Sequence, residues 1–119
     1  LFFVLEYYLF MKIAMHNEDG LGFVFIDHII YVQSDSNYSK VFLTNQNPLL
    51  VLKSIKIIEN MIPEENFIRI HHEFLFNFSH LVRYEKKEGG YIVLSDASKL
   101  PVSRTRNKAF FDKVFNKFK

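Results

Sequence analysis

Short apolar segments rich in Val, Ile, Phe and Tyr alternate along the chain with polar clusters that contain Gly, Asn, Asp or Ser. The β-branched and aromatic residues suit the pleated surface of a strand, whereas the polar clusters suit chain reversals. The spacing therefore predicts a mainly β domain whose antiparallel strands are joined by short turns. We expect about ten strands, near residues 11–16, 21–26, 29–33, 39–44, 48–52, 66–71, 74–77, 81–86, 90–95 and 99–102.

Two segments carry apolar residues at helical spacing instead. The first, KSIKIIENMIP, predicts a short amphipathic helix near residues 54–62. Ser54 can accept hydrogen bonds from the first backbone N–H groups of this helix, and Pro63 ends it. Its apolar face consists of Ile55, Ile58 and Ile62.

The second helical segment, SRTRNKAFFDKVFNKFK, predicts a C-terminal helix near residues 105–118. Ser103 and Thr105 are the candidate capping residues. The helix would dock on the sheet through one apolar stripe, with lysines on its remaining surface. The stripe consists of Phe110, Phe111, Val114, Phe115 and Phe118.

Length and composition narrow the class of protein. A chain of 119 residues is in the range of a single domain, and its 14 Phe and 6 Tyr predict an aromatic core. The sequence contains no Cys, which excludes thiolate zinc sites, cysteine nucleophiles and a disulfide scaffold and favours a cytoplasmic protein.

The N-terminal stretch LFFVLEYYLF is apolar but too short to cross a membrane, which takes roughly 20 residues. The chain begins with Leu1 and not with Met, which suggests a fragment of a longer protein. We therefore expect residues 1–10 to be a linker or a truncated upstream segment, followed by one domain over residues 11–119.

Charge is distributed unevenly, although the net charge is only +2. From residue 99 onward there are seven basic residues and one acidic residue, a local charge of +6 that leaves −4 on the first 98 residues. A basic end on a mildly acidic body has the electrostatic footprint of phosphate binding. Lysines placed to complement a helix dipole would give the same distribution.

The segment RIHHEFLFN contains two adjacent histidines, which raises the possibility of a metal site. Its apolar residues alternate with polar ones except at His72, so we expect a tight turn at residues 71–73 between two short strands. Adjacent strand side chains point to opposite faces, which makes His71 and His72 poor partners for one ion. A site of His71 and Glu73 with a third ligand from His16, His28 or His80 is the alternative, but the sequence lacks diagnostic ligand spacing. We expect no metal and no cofactor.

Enzymatic motifs are lacking as well: the sequence has no G-x-S-x-G elbow and no phosphate-binding glycine loop. We therefore do not expect an enzyme or a small-molecule substrate. Polar groups that suit nucleic acid instead occur at residues 34–40, 71–77 and 101–106. Asn and Arg can pair with base edges, and Lys, Ser and backbone N–H groups suit phosphates.

The order of four segments, IDHIIYVQSDSNYSKVFL, SIKIIENMI, FIRIHHEFLFN and LPVSR, resembles the LytTR family of bacterial DNA-binding domains. The resemblance covers residue 11 to the C-terminus. It implies an elongated antiparallel β-sheet sandwich, found mostly at the C-terminus of two-component response regulators. It also implies binding to direct repeats in promoter DNA as a dimer, through loops that enter the major grooves, with an upstream receiver or membrane domain and a cognate sensor kinase.

Matched position by position, the resemblance makes Asn77 and Arg104 candidates for reading bases. Ser39, Lys40, Ser103 and Arg106 would then contact phosphates. The full set of candidate DNA-binding residues is Asn37, Tyr38, Ser39, Lys40, His71, His72, Asn77, Ser103, Arg104 and Arg106.

Two departures from the family pattern affect these assignments. The family commonly has Arg and Ser where this chain has His72 and Glu73, which weakens attraction to phosphate there. It often has two adjacent arginines where Thr105 separates Arg104 from Arg106. Because of Glu73, the low net charge and the apolar residues 1–10, a protein-interaction or sensory module with weakened DNA binding is the alternative hypothesis.

Overall fold

The computed structural model describes residues 12–118, so the predicted linker over residues 1–10 lies outside the described part. The described chain forms ten strands and two α-helices, in agreement with the mainly β fold predicted from the sequence. The strands are β1 (Lys12–Asn17), β2 (Gly20–Phe25), β3 (Ile29–Asp35), β4 (Tyr38–Leu43), β5 (Leu49–Val51), β6 (Phe67–His71), β7 (Phe74–Asn77), β8 (Leu81–Glu85), β9 (Tyr91–Leu94) and β10 (Lys99–Pro101). The helices are α1 (Ile55–Met61) and α2 (Asn107–Lys117).

All strand pairs are antiparallel and form three sheets. A five-stranded sheet has the order β5-β4-β3-β7-β6, a three-stranded sheet has the order β10-β9-β8, and β1 and β2 form a hairpin. The backbone N–H of Leu52 donates to the carbonyl of His16 over 2.9 Å, which joins this hairpin to the end of β5.

The five-stranded sheet is packed on both faces, because successive side chains of a strand point to opposite sides. On β3, Val32 belongs to one core and Tyr31 to the other; on β7, Leu75 and Phe76 are divided in the same way. The first core is covered by α1 and the β1–β2 hairpin, and the second by the three-stranded sheet and α2. The molecule is therefore a β-sandwich with a helix at each outer layer.

Helix α1 forms as its sequence predicts. The hydroxyl of Ser54 accepts a hydrogen bond from the backbone N–H of Ile57, and the three isoleucines predicted to be apolar are buried. Burial of side chains of this size contributes about 1.5–3 kcal/mol each relative to exposure.

The start of α2 differs from the prediction. Neither Ser103 nor Thr105 caps it with a side chain; instead a 3-10 turn at Arg104–Arg106 leads directly into the helix. The backbone N–H of Arg106 donates to the carbonyl of Ser103 over 3.1 Å, so a backbone hydrogen bond closes the turn that leads into the helix.

The predicted apolar stripe of α2 is only partly buried. Phe110 is buried in the second core, and Phe111 and Val114 pack against it, but Phe115 and Phe118 are 69% and 55% exposed. Helical spacing placed all five residues on one stripe, but only Phe110, Phe111 and Val114 contribute to the second core.

Candidate nucleic-acid interface

Three polar segments meet at one end of the five-stranded sheet. The backbone N–H of Ser34 donates to the carbonyl of Glu73 over 2.8 Å, which joins the β3–β4 hairpin to the β6–β7 turn. The N–H of Ser103 donates to the carbonyl of Ile70 over 2.8 Å, which joins the segment after β10 to the end of β6. We call this surface the turn end, and it consists of residues 35–38, 40, 71–74 and 103–106.

Most candidate residues from the sequence lie on the turn end, though not with equal exposure. Asn37, Tyr38, Lys40, His72 and Arg104 are exposed, whereas His71, Ser103 and Arg106 are partly buried. The three segments that the sequence singled out separately are thus brought together by the fold.

Ser39 is fully buried, which corrects its predicted role as a phosphate contact. Its hydroxyl donates a 2.8 Å hydrogen bond to the carbonyl of Lys53, in the segment between β5 and α1. Along β4 the residues alternate between the two faces, and Ser39 is on the face of Val41 and Leu43 in the first core. Ser39 therefore joins β4 to the segment between β5 and α1.

Asn77 is also buried, with 1% of its surface exposed, which does not fit its predicted role in reading a base. Its side-chain N–H donates to the carbonyl of Ile29 over 2.9 Å. Its carbonyl oxygen accepts from the N–H of Ser79 over 3.0 Å and from the Ser79 hydroxyl over 2.8 Å. Asn77 thus joins the end of β7 to the start of β3 and caps the 3-10 turn at Phe78–His80.

His71 and His72 lie at the predicted turn between β6 and β7, which the structure confirms. Their rings are stacked with centroids 4.4 Å apart, so the expectation that they point to opposite faces is wrong. The reason is that the pairing register of β6 with β7 shifts between Arg69 and His71, which ends regular strand geometry before the turn. His72 is the outer residue, with 76% of its side chain exposed.

The tautomer of neutral His71 follows from its hydrogen bond. The backbone N–H of Glu73 donates to Nδ1 of His71 over 3.1 Å, so the ring proton is on Nε2, which can donate outward. Burial lowers the pKa of His71, and His72, Arg106 and Arg69 lower it further, while Glu73 opposes them. His71 is therefore biased towards the neutral form.

Arg104 and Arg106 belong to the same 3-10 turn, and Arg104 is the more exposed of the two. The charge of Arg106 lowers the pKa of His71. Ser103 contributes its backbone N–H to Ile70 and its hydroxyl lies 3.4 Å from that of Thr105.

The lysines of α2 have structural partners. Lys113 donates to the carbonyls of Glu64 and Phe67, and Lys117 donates to the carbonyl of Glu65 over 2.7 Å. Burial lowers the pKa of Lys113 and Lys117 lowers it further, while Glu64 and Glu65 oppose this shift. Lys108 forms an i,i+4 pair with Asp112 at 2.9 Å. Lys113 and Lys117 therefore help to dock α2 against residues 64–67.

The sequence offers no direct indication of the hydrogen bonds by which two further residues support the candidate residues. The first residue is Lys53, whose carbonyl accepts the hydrogen bond from Ser39. Lys53 directly precedes the helix cap Ser54, and this position could have indicated a structural role for its backbone. Arg69 makes hydrogen bonds to the β6–β7 turn from within an otherwise apolar strand. A charged residue at such a position usually has a specific partner.

Within residues 12–118, no group of three or more His, Asp and Glu side chains is arranged to bind a metal ion. Neither helix in this described range has the length and apolar character needed to cross a membrane.

Asn, Arg, Lys and His side chains gathered on turns at one end of a packed sheet offer donors for phosphates and base edges. The class of protein that this fold and this surface define is a small, mainly β DNA-binding domain. The model of the LytTr DNA-binding domain family matches residues 19–114, and the chain belongs to this family.

The chain is 27% identical over 99 residues to the protein named sensory transduction protein LytT of Bacillus cereus. This match covers 82% of the chain and 40% of that protein. The protein of the same name from Bacillus subtilis is also 27% identical over 99 residues, covering 82% of this chain and 41% of that protein. The chain thus spans about two fifths of the length of these curated relatives.

Among solved structures, the chain is similar to the LytTr DNA-binding domain of a methyl-accepting/DNA response regulator from Bacillus cereus. The TM-score is 0.76 at 18% sequence identity, and the match covers 87% of this chain and 95% of that one. At this level of identity the likeness concerns the fold, and it agrees with the sandwich expected from the sequence.

Proposed function

We propose that this domain binds double-stranded DNA sequence-specifically, as part of a bacterial transcription regulator. The observation that carries the proposal is the turn end, where three separate polar segments form one surface in a chain of the LytTr family. Exposed donors on turns can enter a major groove without a recognition helix.

The roles follow from exposure. Arg104 and Asn37 are exposed and suit base edges, since Arg pairs with guanine and Asn with adenine. His72 is exposed on the β6–β7 turn and can donate to a base or a phosphate. Lys40, Arg106 and the Ser103 hydroxyl suit phosphates, and Tyr38 flanks the β3–β4 hairpin.

The wider setting is proposed from the relatives and from the family. The domain would be the output part of a two-component regulator, with an upstream receiver or membrane domain and a cognate sensor kinase. Its target would be direct repeats in promoter DNA, bound by a dimer in the cytoplasm. The proposal includes no catalysis, cofactor or small-molecule substrate.

The test begins with selection of duplexes from a random DNA pool by the domain, followed by affinity measurements on the enriched sequence at several salt concentrations. The affinity of the wild type should fall steeply with salt. Arg104→Ala should weaken binding by about 1–3 kcal/mol and relax the sequence preference at one position.

Lys99→Ala is the matched control, because it also removes one exposed positive charge. Lys99 is the first residue of β10, whereas Ser103 and Arg104 follow the last residue of this strand. It should bind the selected duplex within a factor of about two of the wild type. Failure of the pool to yield any preferred sequence, or an equal loss for both variants, would contradict the proposal.

A protein-interaction role is the second candidate, and the exposed Phe115 and Phe118 of α2 favour it. Large exposed apolar side chains close together are typical of interaction surfaces. The double variant Phe115→Ser, Phe118→Ser should lower self-association measured by sedimentation while leaving the fold intact. An unchanged oligomeric state would remove the support from this candidate.

A further inference from the structure

Arg69 differs from the other arginines near the turn end because its side chain is largely buried, with 12% exposed. From β6 its guanidinium reaches forward along its own chain, where Nε donates to the carbonyl of His71 over 3.0 Å and Nη2 donates to the carbonyl of His72. Its third contact is Nη1 to Oε1 of Glu59 at 3.0 Å. One side chain therefore connects α1 to both histidines of the turn.

The backbone at this point needs such support. The register of β6 with β7 shifts between Arg69 and His71, so the strand pairing is irregular where the turn begins. Arg69 supplies N–H donors to two successive carbonyls there, and hydrogen bonds to a charged donor are roughly twice as strong as neutral ones. The positions of the His71 and His72 rings depend on this stretch of backbone.

Glu59 completes the arrangement. Its carboxylate offsets the charge of Arg69 and fixes the direction of the guanidinium from a different element of the fold. Because the charge is paired and the group is largely buried, Arg69 is poorly placed to bind phosphate itself.

We propose that Arg69 is a positioning residue for DNA binding, which holds the His71–His72 turn in place while Glu59 anchors it to α1. This inference rests on the proposed function, in which the turn end contacts DNA. The planar guanidinium is required, since a lysine has one compact ammonium group that cannot reach two carbonyls and a carboxylate in this fork geometry.

The experiment compares Arg69→Met, Arg69→Lys and Glu59→Gln with the wild type on the selected duplex, over a range of salt. Arg69→Met and Arg69→Lys should each weaken binding by about tenfold, the equivalent of one lost charge-assisted hydrogen bond. The slope of log affinity against log salt should stay at the wild-type value. Glu59→Gln should give a smaller loss in the same direction.

A direct phosphate contact gives a different result. If Arg69 contacts a phosphate, removing that contact should make the slope of log affinity against log salt shallower by about 0.9. Arg69→Lys should then keep most of the affinity, because a lysine also binds phosphate. A lower slope for Arg69→Met, or wild-type affinity for Arg69→Lys, would overturn the proposal.

A structural readout accompanies the affinities. In amide NMR spectra, Glu59→Gln should shift the signals of residues 71–74 and leave the β9–β10 turn unchanged, which keeps the proposal testable if Arg69→Met fails to fold. Unchanged signals at residues 71–74 would contradict the positioning role. Absence of DNA binding by the wild type would instead overturn the proposed function, so the two failures are distinguishable.

Discussion

The polar residues that match the family motifs fall into a buried group and an exposed group, and the two have different tasks. Ser39 and Asn77 are enclosed and bind backbone carbonyls of distant segments. Asn37, His72 and Arg104 stand on turns at the end of the same sheet. A shared motif therefore does not imply a shared role, because some of its residues build the frame that holds the others.

The difference can be measured, because buried residues should affect folding and exposed residues should affect binding. Removing a buried polar side chain leaves its partners without hydrogen bonds, which costs the desolvation energy of those groups. Removing an exposed side chain away from special backbone geometry changes stability by about 0.5 kcal/mol or less.

The largest effect is expected for Asn77→Ala. The substitution leaves the Ile29 carbonyl without its buried partner and removes two further bonds to Ser79, so the free energy of unfolding should fall by about 2–3 kcal/mol. Urea denaturation measures it. Asn37→Ala is the matched control and should change stability by less than about 0.5 kcal/mol. Equal stabilities for the two variants would remove the distinction between the groups.

A smaller loss is expected for Ser39→Ala, which removes one hydrogen bond to the Lys53 carbonyl. The free energy of unfolding should fall by about 1–2 kcal/mol, while the DNA affinity of the folded fraction stays at the wild-type value. A loss of DNA affinity with unchanged stability would show that Ser39 contacts DNA after all.

The smallest effect is a dependence on pH at His71. This residue is partly buried, so it is intermediate between the buried and the exposed group. Since the pKa of His71 is lowered by folding, the unfolded chain takes up its proton more readily, and stability should fall as pH drops below about 6.5. Phosphates nearby favour the charged ring, so DNA affinity should instead rise over the same range.

The pH effects are measured by urea denaturation and by DNA binding at about pH 7.5 and pH 5.5. His71→Gln should reduce both trends, because a glutamine side chain does not take up a proton between these pH values. The substitution leaves the neighbouring charged groups at His72, Glu73, Arg69 and Arg106 in place. Trends of the same size in this variant would assign them to other groups.

Much of the fold could be predicted from the sequence, because alternation, turn residues and the Ser54 cap act over a few neighbouring residues. The predictions that failed depend on distant partners. Asn77 is buried and its side chain reaches Ile29, 48 positions away in sequence, and Phe115 is exposed although it lies on the predicted stripe. Local pattern carries no signal for either.

The site was predicted in part for the same reason. The three polar segments could be found one by one, but their meeting at one end depends on the pairing of β3 with β7 and on the bond from Ser103 to Ile70. The stacking of His71 on His72 depends on a register shift that strict alternation does not predict.

Packing of the five-stranded sheet on both faces has a consequence for how such domains diversify. Substitutions within the strands disturb one core or the other, whereas substitutions on the turns at its end leave both cores intact. The turns, and with them the surface that we propose contacts DNA, can then change while the frame is kept. The same fold occurs in the solved structure that is only 18% identical to this chain, with a TM-score of 0.76.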